Sequence, residues 1–331
     1  MPGWQDQRAG SGGLAVEPRD GGDGRAARAG LLDRLLDNDL FWSFIHSPVT
    51  VVAALITALI FATAALAPWV APHDPFDPAS LSLMNAFLPP VWIEGGSSEF
   101  LLGTDNQGRD ILSTIIYGSR ISLMVGFAAV AFAAVLGIAL GVSAGYVGGW
   151  YSNVVMRAAD VQLTLPGILV ALMVNGVVRS VLPREMQGDA AIWVLIIAIG
   201  ISDWPQYARM TRGATMVEKS KEYVAAARVI GIRPWSIMIR HILPNVMGPV
   251  LVIATIGLAL AIITEATLSF LGVGVPPTTP SLGTLIRIGN DFLFSGEWWI
   301  TFFPAGALVI LVLSVNLLGD WLRDAFNPKL R

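Results

Sequence analysis

Few side chains in this sequence are arranged for covalent or metal chemistry. Its three histidines, His46, His73 and His241, lie far apart, and none of the 331 residues is a cysteine. The absence of cysteine excludes disulfides, thiolate metal sites and cysteine nucleophiles. There is no GxxxxGK run followed by Ser or Thr to cradle nucleotide phosphates, and no HExxH pair to hold a metal. An enzyme is not expected, nor a metal or cofactor on this chain. Any work it performs draws energy from a partner or an ion gradient.

What remains is charge in unusual places. Residues 222–244 read EYVAAARVIGIRPWSIMIRHILP, a basic segment set between long apolar stretches. The sequence predicts a helix up to Ile230, ended by Gly231 in the left-handed conformation. A second helix is expected to start at Pro234, with a break at Pro244. Arg228, Arg233 and Arg240 point this hairpin at water, at anionic headgroups or at an acidic surface. Three acids fall within or beside the apolar stretches, where ionisable groups are costly. Asp160, one turn after Arg157, predicts a helix-end ion pair. Asp203 is placed to cap backbone groups freed by Pro205. Glu265 either faces a pathway or bonds the interrupted backbone near Gly272.

The elements that position these groups follow from composition. Hydrophobic residues make up 54% of the chain and charged ones only 14%, with mean hydropathy +0.64. A soluble domain of this size needs more charge to cover its surface, so the chain reads as all-α and membrane-spanning. Apolar stretches at 49–70, 121–146, 158–178, 246–264 and 298–319 each predict a span of roughly 20 residues. The stretch 190–208 is interrupted by Asp203 and Pro205, and Pro166 marks a kink candidate in the third. Charge asymmetry retains the interrupted stretch as a span. Without it, Arg209, Arg212, Lys219, Lys221, Arg228, Arg233 and Arg240 would lie outside, against the positive-inside rule. Six spans then leave both termini in the cytoplasm. Trp69, Trp92, Trp298 and Trp299 fall where an outer aromatic belt would sit. Ala129, Ala133, Gly137, Gly141 and Gly145 recur every fourth residue on one helix face, for tight packing inside the chain or for a subunit interface.

Residues 222–244 resemble the coupling loop of the membrane subunits of ATP-binding-cassette importers. That pattern runs Glu-Ala-Ala, three residues, Gly, nine residues, Ile, any residue, Leu-Pro. Ala226, Ala227, Gly231, Leu243 and Pro244 fall at the matching spacing. Ala225 and His241 depart from it, and the acid stands at Glu222. EYVAAARVIG with HILPN is similar to the dipeptide, oligopeptide and nickel branch. So are LGTDNQGRDILSTIIYGSRISL at 102–123 and EATLSFLGVGV at 265–275. DNDLFWSFIHSPVTVVAALI with APHDPFDP resembles the N-terminal helix of its C-type subunit.

The resemblance implies a type I importer permease fold of six transmembrane helices, in a bacterial inner membrane. It implies a peptide or related solute as cargo, a second homologous permease subunit and an extracytoplasmic binding protein. Two cytoplasmic ATPase subunits would hold ATP and Mg, and no nucleic acid is involved. Glu222, Ala226, Ala227, Gly231, Pro234 and Pro244 would carry the ATPase-coupling role. LGTDNQGRD then has two readings: contact with the binding protein through Asp105, Arg109 or Asp110, or an outer loop held by its own turns. The domain plan is a disordered tail at 1–36, a first helix and outer loop at 37–90, a core at 117–320 carrying the coupling loop 210–245, and a tail at 321–331. The competing reading is a gradient-driven secondary transporter, which predicts inverted repeats and ion ligands at mid-membrane. No repeat is evident.

Overall fold

The computed structural model describes residues 44–77 and 82–325. The expected disordered tail at 1–36 and the last residues of the C-terminal tail lie outside that range. Helices account for the architecture. The β feature among the described residues is a single bridge between Thr104 and Asp110.

Ser47 caps the first helix, α1 (Pro48–Ala65), by accepting the amide of Thr50. A short α2 (Ala67–Val70) follows. Helix α3 (Ile111–Val147) has 37 residues, about 55 Å of rise, well beyond the hydrocarbon thickness of a bilayer. It starts ahead of the expected residue 121 because Asp110 caps it, accepting from the Ser113 amide at 2.9 Å and its hydroxyl at 2.6 Å.

The expected third span at 158–178 is two helices rather than one kinked helix. α4 (Gly149–Leu163) and α5 (Gly167–Val181) meet at a bend of 100°. Pro166 disfavours helical geometry at Leu165 and brings no amide of its own, so the chain turns there.

The interrupted stretch at 190–208 is, by contrast, one helix, α6 (Gln187–Lys219), with Pro205 inside it. Pro205 lacks the amide that would bond the Ile201 carbonyl. Gln162 of α4 makes good the loss: its Nε2 donates to the carbonyls of Ile201 and Ser202, and its Oε1 accepts from Trp204 Nε1 at 3.0 Å. The chain continues through α7 (Glu222–Val229), α8 (Pro234–Ser236), α9 (Leu243–Phe270), α10 (Leu282–Asn290) and α11 (Trp299–Ala325). α11 runs past residue 320 to Ala325, into the segment expected as the C-terminal tail.

Among the described residues, five helices are long and apolar enough to cross a membrane, or six if the bent α4–α5 pair is one span. The small-residue stripe packs within the chain. A methyl group at Gly137 would strike Tyr207, one at Gly141 would strike Thr211, and one at Gly145 would lie 2.7 Å from Thr215. Tyr207, Thr211 and Thr215 share the facing ridge of α6, spaced four apart. Of the predicted aromatic belt, Trp69, Trp92 and Trp298 are exposed. Trp299 is buried and donates to the Thr104 carbonyl at 3.2 Å, so it serves packing instead.

Candidate functional site

The basic hairpin begins where α6 ends. Ser220 and Lys221 separate it from α7, whose Val224 and Ala227 are buried against Ile237 and Ile242. One face of α7 is thus committed to the core.

The turn that follows is a complete left-handed helix stop. Gly231 has φ +84°, its amide donates to the Arg228 carbonyl at 3.0 Å, and the Ile232 amide donates to the Ala227 carbonyl at 3.0 Å. Those two bonds satisfy carbonyls the helix end leaves free. Nothing lies within 4 Å of a side-chain position on Gly231, so its backbone angle, rather than crowding, calls for glycine.

The break expected at Pro244 is absent. Residues Pro234–Phe270 run as one continuous helical stretch. Ahead of the proline, Ile237–Ile242 widen into a π-helix. Wider turns relieve the contact between a proline ring and the carbonyl four residues back, and tolerate its missing amide.

The root of the hairpin is tied by several contacts. Tyr223 donates to Glu218 Oε2 at 2.7 Å, and Asn245 Nδ2 reaches both Tyr223 Oη at 3.3 Å and the His241 carbonyl at 2.7 Å. Burial, and then the Glu218 carboxylate, raise the Tyr223 phenol above its ordinary pKa. Lys221 pairs with Glu218 at 2.7 Å. Lys219 donates to the Tyr146 carbonyl of α3, and the Arg228 guanidinium lies 5.2 Å from the centre of the Tyr146 ring.

What the hairpin presents outward is its tip. Val229 is 89% exposed and Ile230 77%, with Trp235 also exposed and Arg228 and Arg233 beside them. Glu222, Ala226, Pro234 and Pro244 are exposed as well, whereas Ala227 is buried. Of the residues selected from sequence, Ala227 and Gly231 therefore shape the elbow. The apolar tip was not singled out, although aliphatic residues flanking a helix-stop glycine are a readable sign.

The remaining candidates are placed elsewhere. Asp160 is paired with Arg209 of α6, not with Arg157, and both side chains are exposed. Asp203 sits inside α6 rather than at an end, and caps nothing. Glu265 is 0% exposed and accepts from Ser122 of α3 at 2.8 Å and from Ser269 at 2.7 Å. Those two hydroxyls in turn accept the amides of Leu282 at 3.2 Å and Val275 at 3.3 Å. Glu265 thus reaches the loop between α9 and α10 through two serine hydroxyls, and not by bonding the backbone near Gly272 itself.

Asp105, Arg109 and Asp110 are each 3% exposed. Asp105 accepts from Arg109 Nε at 2.6 Å and from two amides of its own turn, and Arg109 Nη1 donates to the Pro277 carbonyl at 3.3 Å. These side chains hold the loop together and present nothing outward. Among the described residues, no group of three His, Cys, Asp or Glu could hold a metal.

Comparison with known proteins bears on this architecture. A family model described as "Binding-protein-dependent transport system inner membrane component" matches residues 137–331. The di/tripeptide transport system permease protein DppC of Pseudomonas aeruginosa is 39% identical over 292 residues, covering 88% of this chain and 92% of the relative. The chain belongs to this family of inner-membrane transport components. The dipeptide transport system permease protein DppC of Escherichia coli K12 is also 39% identical, over 88% of this chain and 93% of its own. The glutathione transport system permease protein GsiD of Pectobacterium atrosepticum is 37% identical, over 88% and 91%. A chain of the MetNI methionine ABC transporter, solved facing inward, superposes with a TM-score of 0.50 at 20% identity, over 65% of this chain and 97% of that one, a likeness of fold.

As a permease of this family, the chain is a multi-pass, non-catalytic subunit of an ATP-binding-cassette importer.

Proposed function

We propose that this permease forms half of the pathway of an ATP-driven peptide importer, and that residues 222–244 dock on a separate ATPase subunit. The peptide cargo is supported by the di/tripeptide and dipeptide permeases to which the chain is 39% identical. The coupling role rests on one observation: an elbow closed by Gly231 and tied at its root by Tyr223 leaves Val229 and Ile230 exposed between two arginines. Exposed aliphatic side chains on a fixed, cation-flanked turn fit a groove with an acidic rim.

In this reading the elbow lies in the cytoplasm with both termini, as the concentration of Arg and Lys around it supports. ATP and Mg bind on two ATPase subunits, a second permease completes the pathway, and a binding protein delivers peptide at the other face. Closure of the ATPase pair drags the two elbows, and the spans rock between two arrangements. Glu222, Ala226, Val229, Ile230 and Pro234 make the contact. Ala227 and Gly231 set its shape, and Pro244 lies beyond the turn in the continuous helical stretch that follows.

The test is Val229→Asp with Ile230→Asp. The pair should insert and express normally while uptake and transport-linked ATP hydrolysis fall by about a hundredfold, as for loss of a central interface anchor. Normal uptake by that variant overturns the coupling role. Because the chain has no cysteine, Arg233→Cys reports its side directly. An impermeant maleimide should react only after the membrane is opened.

A further inference from the structure

Beside the hairpin root, the end of α3, the start of α4 and the end of α6 line an open pocket of about 290 Å³. Gly148, Gly149, Ser152, Asn153, Arg212 and Lys219 line it, and no Asp or Glu does so among the described residues. Arg212 is fixed by its Nε, which donates to Ser152 Oγ at 2.7 Å, while its two terminal nitrogens carry no ion pair among the described residues. Lys219 donates to the Tyr146 carbonyl and likewise has no acidic partner among the described residues, the nearby Glu218 being taken by Lys221 and Tyr223. Two unneutralised cations therefore share one polar hollow. Its floor is bare backbone: Gly148 and Gly149 have φ of +73° and +56°, with nothing within 4 Å of a side-chain position on either. Exposed Val147 and Trp150 flank those glycines, and exposed Met216 joins the lining.

We propose that Arg212 and Lys219 bind a phosphate group in this pocket. A guanidinium held at Nε keeps its terminal N–H groups free to bond an oxyanion, and a lysine ammonium supplies a second charge-assisted bond. The phosphate comes from an anionic phospholipid headgroup or from free phosphate. Basic hollows between transmembrane helices on the side assigned above to the cytoplasm suit such headgroups, and Val147, Trp150 and Met216 offer apolar surface for the rest of a lipid. Lys219 is the last residue of α6 and shares Tyr146 with Arg228 of the hairpin. The bound anion thus sits where the membrane helix passes into the coupling element.

The experiment uses the full-length protein in the complex in which it purifies. Native mass spectrometry reads phospholipid retained after extraction from bilayers of equal phosphatidylcholine and phosphatidylglycerol. Calorimetry with inorganic phosphate is run on the same material. Retention of phosphatidylglycerol, reduced about tenfold by Arg212→Gln and by Asn153→Asp, is the expected result and identifies a lipid source. Asn153→Asp leaves both cations in place and adds only a repelling carboxylate, so a loss there is not one of folding. Phosphate binding with the same sensitivity, without lipid retention, supports the site and assigns it to free phosphate. Binding of neither probe, or binding that both variants leave unchanged, overturns the proposal. Neither readout involves transport or ATP hydrolysis, so the result stands apart from the role of the elbow.

Discussion

Gln162 Nε2 donates to the carbonyl of Ile201, the backbone oxygen that Pro205 leaves without its helical donor. One amide side chain from α4 thereby keeps α6 a single helix across an internal proline, and its own Oε1 takes the Trp204 indole at 3.0 Å.

Gln162→Leu should therefore destabilise the protein by about 2 kcal/mol, since it strands buried polar groups without removing bulk. Pro205→Ala restores the missing amide and should recover part of that loss in the double variant. Thermal unfolding in detergent, arranged as a double-mutant cycle, measures the coupling. Strict additivity would show that the two residues do not act on the same carbonyl.

Gly141→Ala should cost about 1–3 kcal/mol, because a methyl group there meets the Thr211 side chain and the Ala208 carbonyl of α6. Gly176→Ala provides the contrast, having nothing within 4 Å of the new methyl. It should be neutral or raise stability by about 0.5–1 kcal/mol, as expected in a helix interior. The same detergent unfolding assay ranks the two.

Glu265→Leu should loosen the loop between α9 and α10 rather than alter cargo preference. It removes the acceptor shared by Ser122 and Ser269, at a cost of about 1–3 kcal/mol. Hydrogen exchange at the Val275 and Leu282 amides, which those hydroxyls accept, should accelerate. Unchanged protection there with altered transport kinetics would move Glu265 into the pathway.

The Tyr223 phenol should titrate in alkali, above the 10.0 of an ordinary tyrosine, since burial and Glu218 both raise it. With the folded value above the unfolded one, its contribution to stability is complete below pH 10.0 and disappears as pH climbs through the folded value. Tyrosinate absorbance compared with that of Tyr223→Phe isolates the transition. Tyr223→Phe should also flatten the alkaline loss of stability.

The elbow was legible because its determinants are local. Gly231, the alanines before it and Pro234 act within a few residues of one another, and the turn they dictate is the one observed. The Ala129 to Gly145 stripe was legible as a packing face for the same reason. What escaped the sequence depends on distant partners. Pro166 and Pro205 look alike on paper, yet one coincides with a 100° bend and the other is absorbed, because Gln162 supplies a donor only to the second. Asp160 finds Arg209, 49 residues away, in preference to its neighbour Arg157. The π-helix ahead of Pro244 depends on how a proline is accommodated inside a continuous helix, a choice that hydrophobic pattern does not encode. LGTDNQGRD carries the polar residues of a recognition loop, but Pro277 from another loop seals Arg109 inside.

Val229 and Ile230 carry a cost for the cell that makes them. A copy synthesised without companions displays greasy carbon at a stiff corner, the kind of surface that chaperones hold and proteases select. Under the proposed docking, balanced production of the assembly is favoured by the same two side chains that would join it together.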